Sequence, residues 1–185
     1  DVNLEAELGA SHAKVGLSQL EAAQSQPLTE IDLQSHGRAW VQHTWGLDPS
    51  TSTLRVSRLG TSDRYLVTCI DHALMDAINR VCADTQLRFV SCKPAMIQQL
   101  STLTPFKESP SPSLEVFAFT ERSGDAGHYP VVECVATLDA MVLSISRVWV
   151  NPGPLSQLPG ILETAVQRLR AQHHHQGETK LQLQS

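Results

Sequence analysis

Apolar and polar positions are most clearly patterned between residues 65 and 100, where they predict a strand, a helix and a second strand. An apolar run of strand length at 66–70 leads into Asp71, whose carboxylate suits the N-cap of a helix. The apolar residues that follow recur at helical spacing: Leu74, Ala77, Ile78, Val81 and Cys82. Residues 87–92 return as a strand, and Pro94 closes the unit. Two strands joined by a crossover helix are most simply parallel neighbours, so the pattern predicts an α/β architecture.

The second half of the chain carries a longer version of this signal. Residues 114–120, 130–138 and 141–150 have the pattern of three strands joined by short turns, which predicts an antiparallel meander. After a Pro-Gly-Pro break, apolar residues recur at helical spacing up to residue 172, and 180–184 alternates as a final strand. The predicted order is therefore three strands, a helix and a strand.

The beginning of the chain is less regular. Residues 2–7 and 13–20 alternate as paired strands do, with 9–12 as the turn of a predicted hairpin. Residues 37–45 are a candidate short helix, and 54–59 are a candidate strand. The first half therefore has nearly the same order of elements as the second, and we hypothesise two related α/β subdomains.

A segment rich in proline and serine separates the two halves. Its prolines and serines cannot sustain a helix or a central strand. We therefore predict a first subdomain at 1–104, a linker at 105–113 and a second subdomain at 114–185.

The composition removes several classes of function. The chain carries a net charge of −5, and its 14 lysines and arginines are scattered, which argues against a nucleic-acid surface. Its apolar runs fall short of the roughly 20 residues that cross a bilayer, so no membrane span is predicted. The first residue is Asp1 rather than methionine, so we expect a piece of a longer protein. A membrane segment could lie in the rest of that protein.

Cysteines and histidines offer no clear chemistry. Cys69, Cys82, Cys92 and Cys134 form no CxxC pair and lie in apolar patterns, which predicts reduced, buried thiols in a cytoplasmic setting. The three histidines at 173–175 would point about 100° apart on a helix, so no metal site is predicted. Ser11 and His12 are adjacent but lack a nucleophile-elbow pattern, so no catalytic residue is predicted.

Two segments resemble a known family. ELGASHAK at 7–14, and IDHALMDAI at 70–78 followed by LRFVSCKPA at 87–95, are similar to parts of the actin-like proteins of bacterial envelope machines. These are the actin-like assembly protein of type IV pili and the cytoplasmic domain of the L-type inner-membrane component of type II secretion. The resemblance implies an actin-like, ribonuclease-H-like α/β fold with two small related subdomains and mixed sheets.

The chain departs from the nucleotide-binding members of that family. Glu7 stands where they place an aspartate at the head of the first loop. In place of a second glycine-rich phosphate loop, the chain has Glu121 and Asp125, whose charges would repel phosphate. The resemblance therefore implies a degenerate member that is not an enzyme and needs no cofactor. It would be a cytoplasmic scaffold, at the inner face of the inner membrane, that binds a protein of the assembly platform.

Two other functions stay open at this point. In a nucleotide-binding actin-like ATPase or phosphotransferase, Gly9, Ser11 and Lys14 would hold the phosphate groups. A small-molecule binding domain unrelated to either is the third reading.

The scaffold reading also predicts a partner site. Strands 114–120 and 141–150 have the least obvious cover, so an extended tail of a membrane component could add to an open edge there. Trp149 and Val150 would supply apolar contacts, and Arg147 would orient an acidic tail. The competing expectation packs Trp149 under the following helix.

Overall fold

The computed structural model describes residues 3–8, 12–20, 28–59, 63–102, 114–120, 131–138, 141–149, 158–174, 176–177 and 179–184. The chain divides into two compact units, Asp1–Ala95 and Met96–Ser185. The proposed linker at 105–113 lies outside the described residues. The subdomain limits based on it stay predictions.

The first unit mixes strands and helices along its whole length. Its elements are β1 (Asn3–Leu8), β2 (Ala13–Gln19), α1 (Glu30–Trp45), β3 (Ser52–Arg58), β4 (Arg64–Asp71), α2 (His72–Thr85) and β5 (Arg88–Pro94). A short 3-10 turn, Pro49–Thr51, precedes β3.

Helix α1 is longer than the 37–45 segment predicted for it. Thr29 and Asp32 form a capping box at its start, where the Thr29 hydroxyl accepts from the Asp32 N–H at 3.2 Å. The helix ends at Gly46, whose φ of 64° is the left-handed conformation that favours glycine. The apolar pattern does not predict the first turns of α1, because these turns are specified by the capping residues and not by an apolar stripe.

The strands of the first unit pair differently from the prediction. Strands β2, β4 and β3 form an antiparallel sheet in that order, and β1 pairs in parallel with β5 in a separate two-stranded sheet. The predicted hairpin of 2–7 with 13–20 is therefore wrong, because β1 and β2 belong to different sheets. The predicted parallel pairing of β4 with β5 is also wrong. Strands β2 and β3 occupy both edges of β4, so α2 must carry the chain to another partner.

The second unit follows the predicted order closely. Its elements after α3 (Ala95–Thr102) are β6 (Leu114–Thr120), β7 (Val131–Leu138), β8 (Met141–Trp149), α4 (Leu158–Gln172) and β9 (Thr179–Gln184). They form one sheet in the order β8-β7-β6-β9, in which β7 is antiparallel to its neighbours and β9 is parallel to β6. The predicted meander, helix and final strand are confirmed.

The core of the second unit lies between this sheet and α4. Leu162 and Leu169 of the helix pack against Val116, Val132 and other inward residues of β6 and β7. Strand β6 lies between β7 and β9, so the expectation that 114–120 offers an open edge is wrong. Strand β8 is an outer strand of the sheet, as an edge for strand addition requires.

The thiols mostly follow the prediction. All four cysteines are free; Cys69, Cys82 and Cys134 are buried, whereas Cys92 on β5 is only half-buried. Burial, with a smaller contribution from the Glu133 charge, raises the pKa of Cys134 to about 11. Cys134 is therefore a protonated core residue at neutral pH.

Candidate functional site

The candidate site is the end of the β2-β4-β3 sheet where the predicted phosphate loop enters β2. In the sheet register Ala13 lies opposite Ile70, and Lys14 lies opposite Cys69. The start of β2 and the end of β4 therefore lie side by side at one end of the sheet. The Asp71 carboxylate there accepts a hydrogen bond from the Ala73 N–H at 2.7 Å, which confirms the predicted N-cap of α2.

Lys14 is turned towards α1. Lys14 shares a face of the sheet with Cys69, its cross-strand partner on β4. Cys69 packs in a core cluster with Val41 of α1, so this is the face that α1 covers. The Lys14 Nζ atom lies 6.0 Å from the ring centroid of Trp45, near the limit at which a cation interacts with an aromatic face. The ammonium group therefore lies on the α1 side of β2, near the last turn of that helix.

Trp45 belongs to a tryptophan pair that anchors α1 on the sheet. Trp40 and Trp45 meet edge to face, with ring centroids 4.9 Å apart and an interplanar angle of 77°. A Cβ atom placed on Gly16 of β2 would clash with Trp40 and would lie 2.8 Å from Trp45. Gly16 is thus a packing requirement that the sequence reading missed. Its signal was a glycine inside a strand pattern, which is typical of a close approach.

Lys14 is the one of the three proposed phosphate-site residues that the structure describes. Gly9 and Ser11 lie outside the described residues. Glu7 is exposed on β1, opposite Lys93 of β5, and so belongs to a different sheet from Lys14. Glu7 and Lys14, which flank the same predicted loop, therefore lie in different sheets.

A serine–histidine contact, which the sequence reading missed, joins β2 to α1. The Ser18 hydroxyl lies 2.6 Å from His36 Nε2. Ser18 is only 1% exposed, so a substrate has no access to its hydroxyl. The contact satisfies a buried polar group beneath the helix, which is a structural role.

The predicted partner residues lie at the end of β8. The Arg147 guanidinium donates to the Glu133 carboxylate of β7 at 2.7 Å, and the two side chains are 18% and 6% exposed. The charge of Arg147 is thus engaged inside its own sheet. Trp149 ends β8, but its side chain and Val150 lie outside what the structure describes, so their roles stay predictions.

Neither a cluster of metal-ligating side chains nor a membrane-spanning helix occurs among the described residues. They contain no group of three or more histidine, cysteine, aspartate or glutamate side chains placed to hold a metal ion. None of their helices combines the length and apolar character needed to span a membrane.

Two solved structures are similar to this one over nearly its whole length. A protein from Bacteroides thetaiotaomicron, with an actin-like ATPase fold and unknown function, matches with a TM-score of 0.60 and 10% identity, covering 99% of this chain and 60% of its own. The cytoplasmic domain of EpsL, an inner-membrane component of the type II secretion system of Vibrio cholerae, matches with a TM-score of 0.51 and 13% identity, covering 98% of this chain and 62% of its own.

The chain has an actin-like fold. This confirms the fold implied by the resemblance at 7–14 and 70–95. At these identities the likeness speaks for the fold alone, and the chain spans about 60% of the length of the two matched structures. No family model matches the chain, and no curated protein matches its sequence.

Proposed function

We propose that the protein is a non-catalytic scaffold in the inner-membrane platform of a bacterial type II secretion or type IV pilus machine. It would act at the cytoplasmic face of the membrane and bind a protein component of the platform. The likeness to the EpsL cytoplasmic domain supports the setting, because EpsL is an inner-membrane component of the type II secretion system.

The position of Lys14 is the observation that carries the non-catalytic part of the proposal. A phosphate-binding lysine must direct its ammonium group into the loop that holds the phosphate. Here the Lys14 Nζ atom lies 6.0 Å from the centroid of the Trp45 ring, on the side of β2 that faces α1, and Glu7 stands on a separate sheet opposite Lys93. The protein would therefore use its frame for binding rather than for phosphate transfer.

The nucleotide-binding alternative keeps one favourable observation. Strand β2 begins beside the N-terminus of α2, since Ala13 lies opposite Ile70 and α2 begins at His72. Helix N-termini favour anions, so phosphate at this edge is electrostatically reasonable. A titration that includes Mg-ATP therefore distinguishes this alternative from the scaffold role.

The proposal is tested by calorimetric titration of the purified chain with the cytoplasmic segments of platform membrane proteins, each produced as a soluble fusion. We expect saturable binding of one segment, unchanged by Mg-ATP and by Lys14→Ala, and none with a scrambled version of that segment. Failure of every platform segment to bind would contradict the scaffold role. ATP hydrolysis that Lys14→Ala abolishes would support the alternative instead.

A further inference from the structure

The β1–β5 pair has an edge with which no described strand pairs. Parallel strands normally lie within larger, covered sheets, whereas β1 and β5 form a sheet of two strands. Strand β5 also contacts β2, so β1 is the outer strand of the pair. No described strand pairs with the other side of β1. A strand edge of this kind presents backbone N–H and C=O groups that an extended peptide can complete.

Strand β1 presents this edge over its six residues without irregularity. The extra residue of the β1–β5 register is Val90, between the partners of Leu4 and Glu5, so the bulge lies on β5. Bulges on an outer strand discourage further pairing, and here the outer strand lacks one.

The side chains of β1 specify the kind of strand that fits. Asn3, Glu5 and Glu7 are exposed on one face, and Leu4, Ala6 and Leu8 are half-buried on the other: the six residues of β1 alternate strictly. An added strand would therefore need apolar residues on one face and cationic residues on the other.

Charge separates the two sides of the pair. On β5, Arg88 lies opposite Asn3 and Lys93 opposite Glu7, and both basic residues are exposed. Glu5 lies opposite Ser91, so the register places no basic residue directly across from it. The β1 side is acidic and the β5 side is basic, so a cationic strand is attracted to β1 and repelled from β5.

We propose that the outer edge of β1 binds an extended, basic segment of a membrane protein as an added strand, with lysine or arginine beside Glu5 and Glu7. This rests on the proposed function for the source of the segment, since cytoplasmic segments next to a membrane span are enriched in lysine and arginine. The β8 edge is the alternative site for strand addition that the sequence pattern predicts. It is the less regular edge, because the β7–β8 register is irregular between Ala136 and Thr137, and Arg147 there is already paired with Glu133 of the same sheet.

The test uses amide hydrogen exchange of the full chain with two synthetic octapeptides, one alternating lysine with valine and one alternating glutamate with valine. We expect the basic probe to slow exchange in the fragment that contains β1 and to leave β8 unchanged. The acidic probe should protect neither strand. Protection of β8 without β1, or equal binding of the two probes, would overturn the proposal.

Two variants with equal charge keep the outcome clear. Glu5→Gln/Glu7→Gln removes two exposed carboxylates from β1, and Asp84→Asn/Glu163→Gln removes two exposed carboxylates from α2 and α4. The first variant should weaken the basic probe about tenfold at low salt and the second should leave it unchanged. Equal weakening in both would show only non-specific attraction and would overturn the proposal.

The same exchange experiment separates this inference from the proposed function. A platform segment that binds without protecting β1 would overturn the site and leave the scaffold role standing. Protection of β1 by the basic probe, when no platform segment binds, would support the site and remove the scaffold role.

Discussion

The two halves of the chain reach an actin-like fold with different packing. In the second half, β7 is buried at nearly every position on both faces, and the sheet is continuous over four strands. In the first half, the strands divide into sheets of three and two, and β1 and β3 are half-buried or exposed throughout. The buried sheet therefore supplies most of the packing in the second half. The first half depends on close contacts between α1 and β2, so the two should respond differently to substitution.

The largest effect should come from the core of the second half. Phe117 is 1% exposed on β6, and Phe117→Ala should cost about 3–5 kcal/mol of unfolding free energy through lost burial and the resulting cavity. Phe89→Ala on half-buried β5 is the control in the first half and should cost clearly less. Denaturant unfolding measures both, and equal losses would contradict the contrast in packing.

Ion pairs sharpen the same comparison. Arg147→Met removes the guanidinium that pairs with the buried Glu133 carboxylate and should cost about 3 kcal/mol. In the first half, Arg58 and Asp63 lie 3.9 Å apart with side chains 52% and 59% exposed, so Arg58→Met should cost below about 1 kcal/mol. A greater loss from Arg58→Met than from Arg147→Met in urea unfolding would reverse the account.

Glycine substitutions test the close contacts of the first half. Gly16→Ala would force Trp40 and Trp45 away from β2, and overpacking of this kind typically costs about 1–3 kcal/mol. Gly160 in α4 has open space around its Cβ position, so Gly160→Ala should be neutral or slightly stabilising. Thermal unfolding, together with tryptophan fluorescence of the folded state, would report both. An unchanged spectrum and midpoint for Gly16→Ala would show that the tryptophan pair does not need the glycine.

The smallest effect concerns Glu115 on β6. Burial raises the pKa of its carboxyl above the usual range, and the charge of Lys180 opposes the shift only in part. A raised carboxyl pKa favours the folded state at low pH, and this contribution is lost as the pH rises through the folded pKa. Glu115→Gln should therefore be slightly more stable than the wild type at pH 7, with the difference fading below the pKa of the unfolded carboxyl. A gain that grows at acid pH would contradict the sign.

Local sequence signals predicted the helices and strands better than they predicted which strands pair with each other. The Asp71 cap, the strand that precedes it and the order of β6 to β9 followed from spacing alone, because caps and apolar periods act over a few residues. The pairing of β1 with β5 and of β2 with β4 did not follow, since strands distant in sequence compete for the same edges. Nor could spacing show that Lys14 would lie against Trp45, because α1 had to be placed on the sheet first.

Titration with Mg-ATP tests the central claim, that the actin-like frame serves for binding and not for phosphate chemistry. The wild type and Lys14→Ala would be heated with and without the nucleotide, and calorimetry would measure binding at the same concentrations. We predict no shift in the unfolding midpoint and no heat of binding for either protein. If the protein bound ATP, a free ATP concentration 100 times the dissociation constant would instead stabilise the folded state by about 2.7 kcal/mol. Such stabilisation in the wild type and its loss in Lys14→Ala would contradict the account.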